Sequence, residues 1–126
     1  MSHNSVNISS GLATGYISGG CGKVNSTNNS VNISGDAVIN SNGDIHGGYA
    51  GEGDSYQNKI NISGGTFASN DETVNIFLEG GYAYAGNAYE NVVTITGGNF
   101  ELDIEGACAW YGNVYDNTAW CTYHFI

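Results

Sequence analysis

The chain has 126 residues, 20 of them Gly and none Pro, and sets 12 acidic side chains against two basic ones for a formal charge of -10. With Lys23 and Lys59 as its whole complement of Lys and Arg, it cannot neutralise a row of phosphates, which excludes nucleic acid and anionic membrane surfaces as partners. No apolar run approaches the roughly 20 residues of a membrane span. Leu, Ile, Val and Phe supply about a fifth of the residues, close to the level below which chains stay disordered, so the core must be thin. The β-branched residues dominate that fifth, while Leu and the long helix-forming side chains are scarce, so the composition predicts an all-β fold. Its size fits one domain covering residues 1–126. The opening Met1 to Ser5 carries neither the basic nor the apolar region of a secretory signal, which leaves a removed signal, a cytoplasmic chain or a fragment open.

In chain order, Asn4–Ser9 alternates Val6 and Ile8 with polar residues, as in a strand with one buried face. Ile17–Gly22 follows, with a Gly pair ahead of Cys21. The first segment then returns at Asn29–Gly35, Asn58–Gly65 and Asn91–Gly98, and in a degenerate copy at Asn117–Cys121; the second returns at Ile45–Ala50, Leu78–Ala83 and Ile104–Ala109. The period-2 pattern predicts an inward ladder of Val6, Ile8, Val31, Ile33, Ile60, Ile62, Val93 and Ile95. Between the two segments lies a Gly-[Asp/Asn]-x-Tyr-x-Asn stretch, at Gly53–Asn58, Gly86–Asn91 and Gly112–Asn117.

The leg from second to first segment is nearly constant: 16 residues from Ile17 to Ile33 and 17 in each later copy. The other leg varies between 9 and 16. A fixed leg held in register and a variable leg on the surface is the requirement of a stacked repeat, so the expected architecture is a β-solenoid of about four to five coils. Stacking at about 4.8 Å would align Asn58, Asn91 and Asn117 in one ladder and Tyr56, Tyr89 and Tyr115 in another. A turn beside the Asn position would break the alternation, so the face taken by the tyrosines stays open.

The pattern [Ile/Leu]-x-Gly-Gly-Tyr-Ala, Gly-[Asp/Asn]-x-Tyr-x-Asn, x-[Val/Ile]-x-Ile-x-Gly-Gly resembles the repeats in passenger regions of bacterial autotransporters and large adhesin-like surface proteins, from about Asn4 to Cys121. The resemblance implies an extracellular or cell-surface β-solenoid. The chain departs from that architecture in having no C-terminal β-barrel.

Among the carboxylates, Asp36, Asp44, Glu52 and Asp54 form one group and Glu79, Glu101, Asp103 and Glu105 a second. Glu101, Asp103 and Glu105 alternate with Leu102 and Ile104, which reads as the solvent face of a strand rather than a catalytic cluster. Gly47–Asp54 looks superficially like a glycine-rich calcium repeat, but its spacing fails and the next coil has Asn87 for Asp54; at most it holds a weak surface calcium, and no cofactor is expected. His3, His46 and His124 are too scattered for a local zinc motif, and no Ser or Cys has a recognisable catalytic partner. The Asn-x-Ser/Thr sequons are mostly the repeat itself, and Thr94 to Thr96 alone fits an ice-binding array.

Cys21 and Cys108 share the repeat position of Tyr49 and Tyr82. Three coils apart they would lie about 14 Å from one another, too far to bridge within a chain. They are either small buried fillers or inter-subunit partners across a junction of stacked chains; the state of Cys121 is open. The expected function is that of a non-enzymatic structural or adhesive solenoid that associates with itself end to end. The alternative is a carbohydrate-binding module with Tyr49, Tyr82, Tyr84 and Trp110 as its ligand face. A polysaccharide-active enzyme is a third reading.

Overall fold

The computed structural model describes residues 1–40, 44–68, 77–100 and 103–121, with side chains for all of these except 100, 103–105, 120 and 121. The described residues form strands joined by turns, with no helix. The first coil holds β1 (Ser5–Ile8), β2 (Leu12–Ala13), β3 (Ile17–Ser18) and β4 (Cys21–Gly22); the second holds β5 (Ser26–Thr27), β6 (Ser30–Ile33), β7 (Val38–Asn40), β8 (Ile45–His46) and β9 (Tyr49–Ala50). The third runs through β10 (Ser55–Tyr56), β11 (Lys59–Ile62), β12 (Thr66–Ala68) and β13 (Phe77–Ala83), and the fourth through β14 (Ala88–Tyr89), β15 (Val92–Ile95), β16 (Asn99–Phe100) and β17 (Asp103–Ala109). A fifth begins with β18 (Val114–Tyr115) and β19 (Thr118–Cys121).

Each strand pairs in parallel with its equivalent one coil away. The longest sheet has the order β1-β6-β11-β15-β19, and its register aligns Ile8, Ile33, Ile62, Ile95 and Cys121. This is the expected β-solenoid, and the inward ladder follows from the alternation: Val31, Ile33, Ile60, Ile62, Val93 and Ile95 are fully buried. Val6 and Ile8, in the end coil, are partly buried against the same cluster. Two further walls, unassigned from the sequence, close the interior: Ile17, Ile45 and Leu78 from one sheet, and Ala13, Ile39 and Phe67 from another. A buried Ile or Leu contributes about 1.5–3 kcal/mol relative to exposure, so the thin core holds because every coil adds its own set. The longer copies of the variable leg contain residues 41–43 and 69–76, which lie outside the described residues, as do Glu101, Leu102 and His124.

The open question of the tyrosine face is decided by the backbone. Asn28, Gln57, Glu90 and Asp116 adopt φ values of 55°, 56°, 54° and 54°, and His3 one of 58°. Each is the residue before a ladder asparagine. A left-handed residue rotates the chain out of strict alternation, so Ser55 and Asn58 both turn inward while Tyr56 between them lies at the surface. Tyr56, Tyr89 and Tyr115 then stack on the outside with ring centroids 4.9 Å apart at each step.

Candidate functional site

Inside that corner runs a ladder of amides. Asn29, Asn58 and Asn91 are fully buried. Each Oδ1 accepts two N–H bonds, from the backbone N and the Nδ2 of the asparagine one coil toward the N-terminus: Asn58 Oδ1 from Asn29 at 3.0 and 3.0 Å, Asn91 Oδ1 from Asn58 at 3.0 and 3.1 Å, and Asn117 Oδ1 from Asn91 at 2.9 and 3.0 Å. Asn4 donates to Asn29 Oδ1 in the same way, at 3.1 and 2.9 Å. The predicted Asn58, Asn91 and Asn117 ladder is therefore extended by Asn29 and Asn4. It also has a direction: Asn4 Oδ1 at its first rung accepts no hydrogen bond among the described residues. The second glycine of each Gly pair admits this ladder. A Cβ on Gly20, Gly48 or Gly81 would collide with the carboxamide of Asn29, Asn58 or Asn91, respectively.

A second ladder of Asx side chains runs the opposite way along the neighbouring turn. Asp54 N donates to Asn25 Oδ1 at 2.9 Å, Asn87 N to Asp54 Oδ1 at 2.8 Å, and Asn113 N to Asn87 Oδ1 at 2.9 Å. Asp54, the calcium candidate, thus serves as a backbone-binding rung that Asn fills equally well in the next coil.

The end coils present strands paired on one side. Among the described residues β1 pairs with β6 alone and β19 with β15 alone. The same holds for β4 with β9, placing Cys21 beside Tyr49. Cys21 is exposed and Cys108 half-buried, which corrects the reading of both as buried fillers. The inter-subunit reading depends on where a second copy docks: if its β1 paired with β19, the two coil-five strands β18 and β19 would leave its Cys21 two strand spacings from Cys108, about 10 Å away, against the roughly 4.4–6.8 Å Cα separation a disulfide tolerates.

The sheet of β8, β9, β13 and β17 carries the remaining candidates. The rings of Tyr49 and Tyr82 stack with centroids 5.2 Å apart and planes 6° from parallel, and His46 lies 5.1 Å from Tyr82 and 5.9 Å from Tyr49. Burial pushes the Tyr82 phenol up to about 12, with Cys108, Glu79 and Tyr49 adding to the effect and a hydrogen bond from Trp110 opposing it. Beyond them Tyr84 meets Trp110 at 6.0 Å and Tyr111 edge-on at 5.4 Å. Tyr84, Trp110 and Tyr111 are exposed by 42%, 63% and 72%. Since a sugar packs on the face of an aromatic ring, the mutual stacking of Tyr49 and Tyr82 leaves Tyr84 and Trp110 as the more open part of the predicted ligand face.

Beneath the tyrosines is a group that the sequence reading passed over. His46 and Glu79 are register partners in β8 and β13, and their Nε2 and Oε2 atoms lie 2.8 Å apart with side chains 8% and 5% exposed. Beyond this contact neither atom has a hydrogen-bonding partner among the described residues. Asp44 completes the group: one ligand-capable atom from each of the three residues lies within 4.8 Å of the others. The signal was present in the aligned repeats, where Ser18, His46, Glu79 and Glu105 occupy one rung.

No protein-family model, curated protein or solved structure matches this chain.

Proposed function

We propose that this protein is a structural, non-catalytic β-solenoid of an extracellular or cell surface that associates end to end through its first and last coils, with copies of itself as partner. The supporting observation is the directional asparagine ladder. Its first rung offers an open acceptor at Asn4, and its last is the Asn117 position, whose backbone N–H is the group that donates at every earlier rung. Pairing β19 of one copy with β1 of the next continues the ladder without a change of register. Such a head-to-tail contact does not close on itself, so it yields a filament. The resemblance to autotransporter passenger repeats supports the surface setting.

Engineered cross-links test the geometry. Ser5 and Thr118 end the same rung, aligned through Ser30, Lys59 and Val92, and both are exposed. Ser5→Cys with Thr118→Cys, in a chain whose three native cysteines are Ser, should give a reducible ladder of covalent oligomers under mild oxidation. The native Cys21 and Cys108 should not. Monomer in the engineered pair, or a Cys21–Cys108 bridge in the native chain, would refute the register. A glycan-binding role is the second reading, favoured by the exposed Tyr84 and Trp110. Loss of glycan-array retention in Trp110→Ala would support it.

A further inference from the structure

The structure assigns a second property to the β8–β13 sheet: we propose that Asp44, His46 and Glu79 bind one divalent transition-metal ion of the zinc class. Three observations converge. The donor set is one imidazole nitrogen and two carboxylates, a mixture that suits zinc and its neighbours, whereas calcium and magnesium favour all-oxygen cages. The donor atoms are already gathered within 4.8 Å of one another. Two candidate donors, His46 Nε2 and Glu79 Oε2, are buried and face each other at 2.8 Å, with no further hydrogen-bonding partner among the described residues.

The backbone holds these positions firmly. Ile17 N donates to Asp44 O at 3.2 Å, Gly19 N to His46 O at 3.0 Å and Gly47 N to Glu79 O at 2.9 Å. Asp44 Oδ1 accepts from Phe77 N at 3.1 Å, which orients the carboxylate and leaves its second oxygen for an ion. Metal–ligand bonds of about 2.0–2.2 Å in a tetrahedron place donor atoms about 3.3 Å from each other. On binding, the 2.8 Å contact between His46 and Glu79 would open slightly and Asp44 would close in. A neutral imidazole and two carboxylates around a dication sum to zero charge, which suits a site as buried as this one. Three protein ligands leave a fourth position for water or an exogenous donor.

The test is a titration of the full chain with Co²⁺ and then Zn²⁺, followed by visible absorption and calorimetry. One equivalent of Co²⁺ should give ligand-field bands without thiolate charge transfer, and Zn²⁺ should displace it. His46→Ser, which places at this rung the residue Ser18 already supplies one coil away, should weaken binding by at least about tenfold, the loss typical even of an outer-shell partner. Glu79→Gln should do the same, and His3→Ala should change nothing. In the unmodified chain, the imidazole resonances of His46 should shift with one equivalent of Zn²⁺, a readout independent of whether a variant folds. Absent stoichiometric binding, a thiolate band, an unmoved His46 resonance, or full affinity in a folded His46→Ser chain would each overturn the site in favour of a closed histidine–glutamate pair.

Discussion

Asn58 is the middle rung of the buried amide ladder, and Asn58→Ala removes its side-chain bonds without adding bulk. Its Oδ1 accepts from Asn29 N and Nδ2, both at 3.0 Å, and its Nδ2 donates to Ser26 O at 2.9 Å, Ser55 Oγ at 3.1 Å and Asn91 Oδ1 at 3.1 Å. Asn29 Nδ2 keeps Ser26 Oγ, and Asn91 Oδ1 keeps Asn58 N. Asn29 N loses its partner inside the stack, while Ser26 stays in the β5–β10 ladder. One orphaned buried N–H at about 1–3 kcal/mol, with the amide's other bonds and a small cavity besides, makes the expected loss about 2–4 kcal/mol. That is a large part of the roughly 5–15 kcal/mol available to a domain. At about 3–5 °C per kcal/mol for a chain of this size, the melting temperature should fall by about 6–20 °C. The control is Asn61→Ala, where an exposed amide donates to Asn32 Oδ1 at 2.9 Å on the outer face; it should cost less than about 0.5 kcal/mol. Paired denaturant titrations decide the matter. Equal midpoints for the two variants would refute the claim that the inner ladder stabilises the stack.

Two further outcomes follow from the same geometry. Ile62→Asp places an unpaired carboxylate at a position 1% exposed and should abolish cooperative unfolding by circular dichroism; an unchanged melting curve would contradict the inward assignment. Burial raises the Tyr82 phenol to about 12, and burial, Asp54 and the stacked neighbours raise Tyr89. Because both folded values lie above the ordinary one near 10, the unfolded chain releases these protons first. The stabilisation is complete below about pH 10 and is lost as pH rises through the folded values. Ultraviolet titration should show late-ionising tyrosines, and Tyr82→Phe should flatten the fall in stability.

The coils were legible because a solenoid repeats its constraint. Val31, Ile60 and Val93 are apolar for the same reason at the same rung, and the constant leg of the repeat fixes the register. The face of Tyr56 was not legible, because a left-handed φ at Gln57 is a backbone choice that Gln does not announce. The second and third core walls escaped because Ile17 and Ile45 lie in two-residue strands and Ile39 and Phe67 in three-residue ones, too short to show alternation. The His46 group escaped for a different reason. Zinc motifs are sought along the chain, whereas His46 and Glu79 are 33 residues apart in sequence and one strand apart in space. Comparing the same rung across coils, Ser18, His46, Glu79 and Glu105, would have found it.

The measurement that tests end-to-end assembly most directly is electron microscopy and fibre diffraction of the purified chain across a concentration series. Pairing β19 with the next copy's β1 advances each copy by five coils. The account therefore predicts thin unbranched filaments with a strand spacing of about 4.8 Å and a subunit repeat of about 24 Å along the axis, lost in Ile8→Asp, which charges the terminal strand. Compact single particles at every concentration, or filaments that persist unchanged in Ile8→Asp, would contradict it.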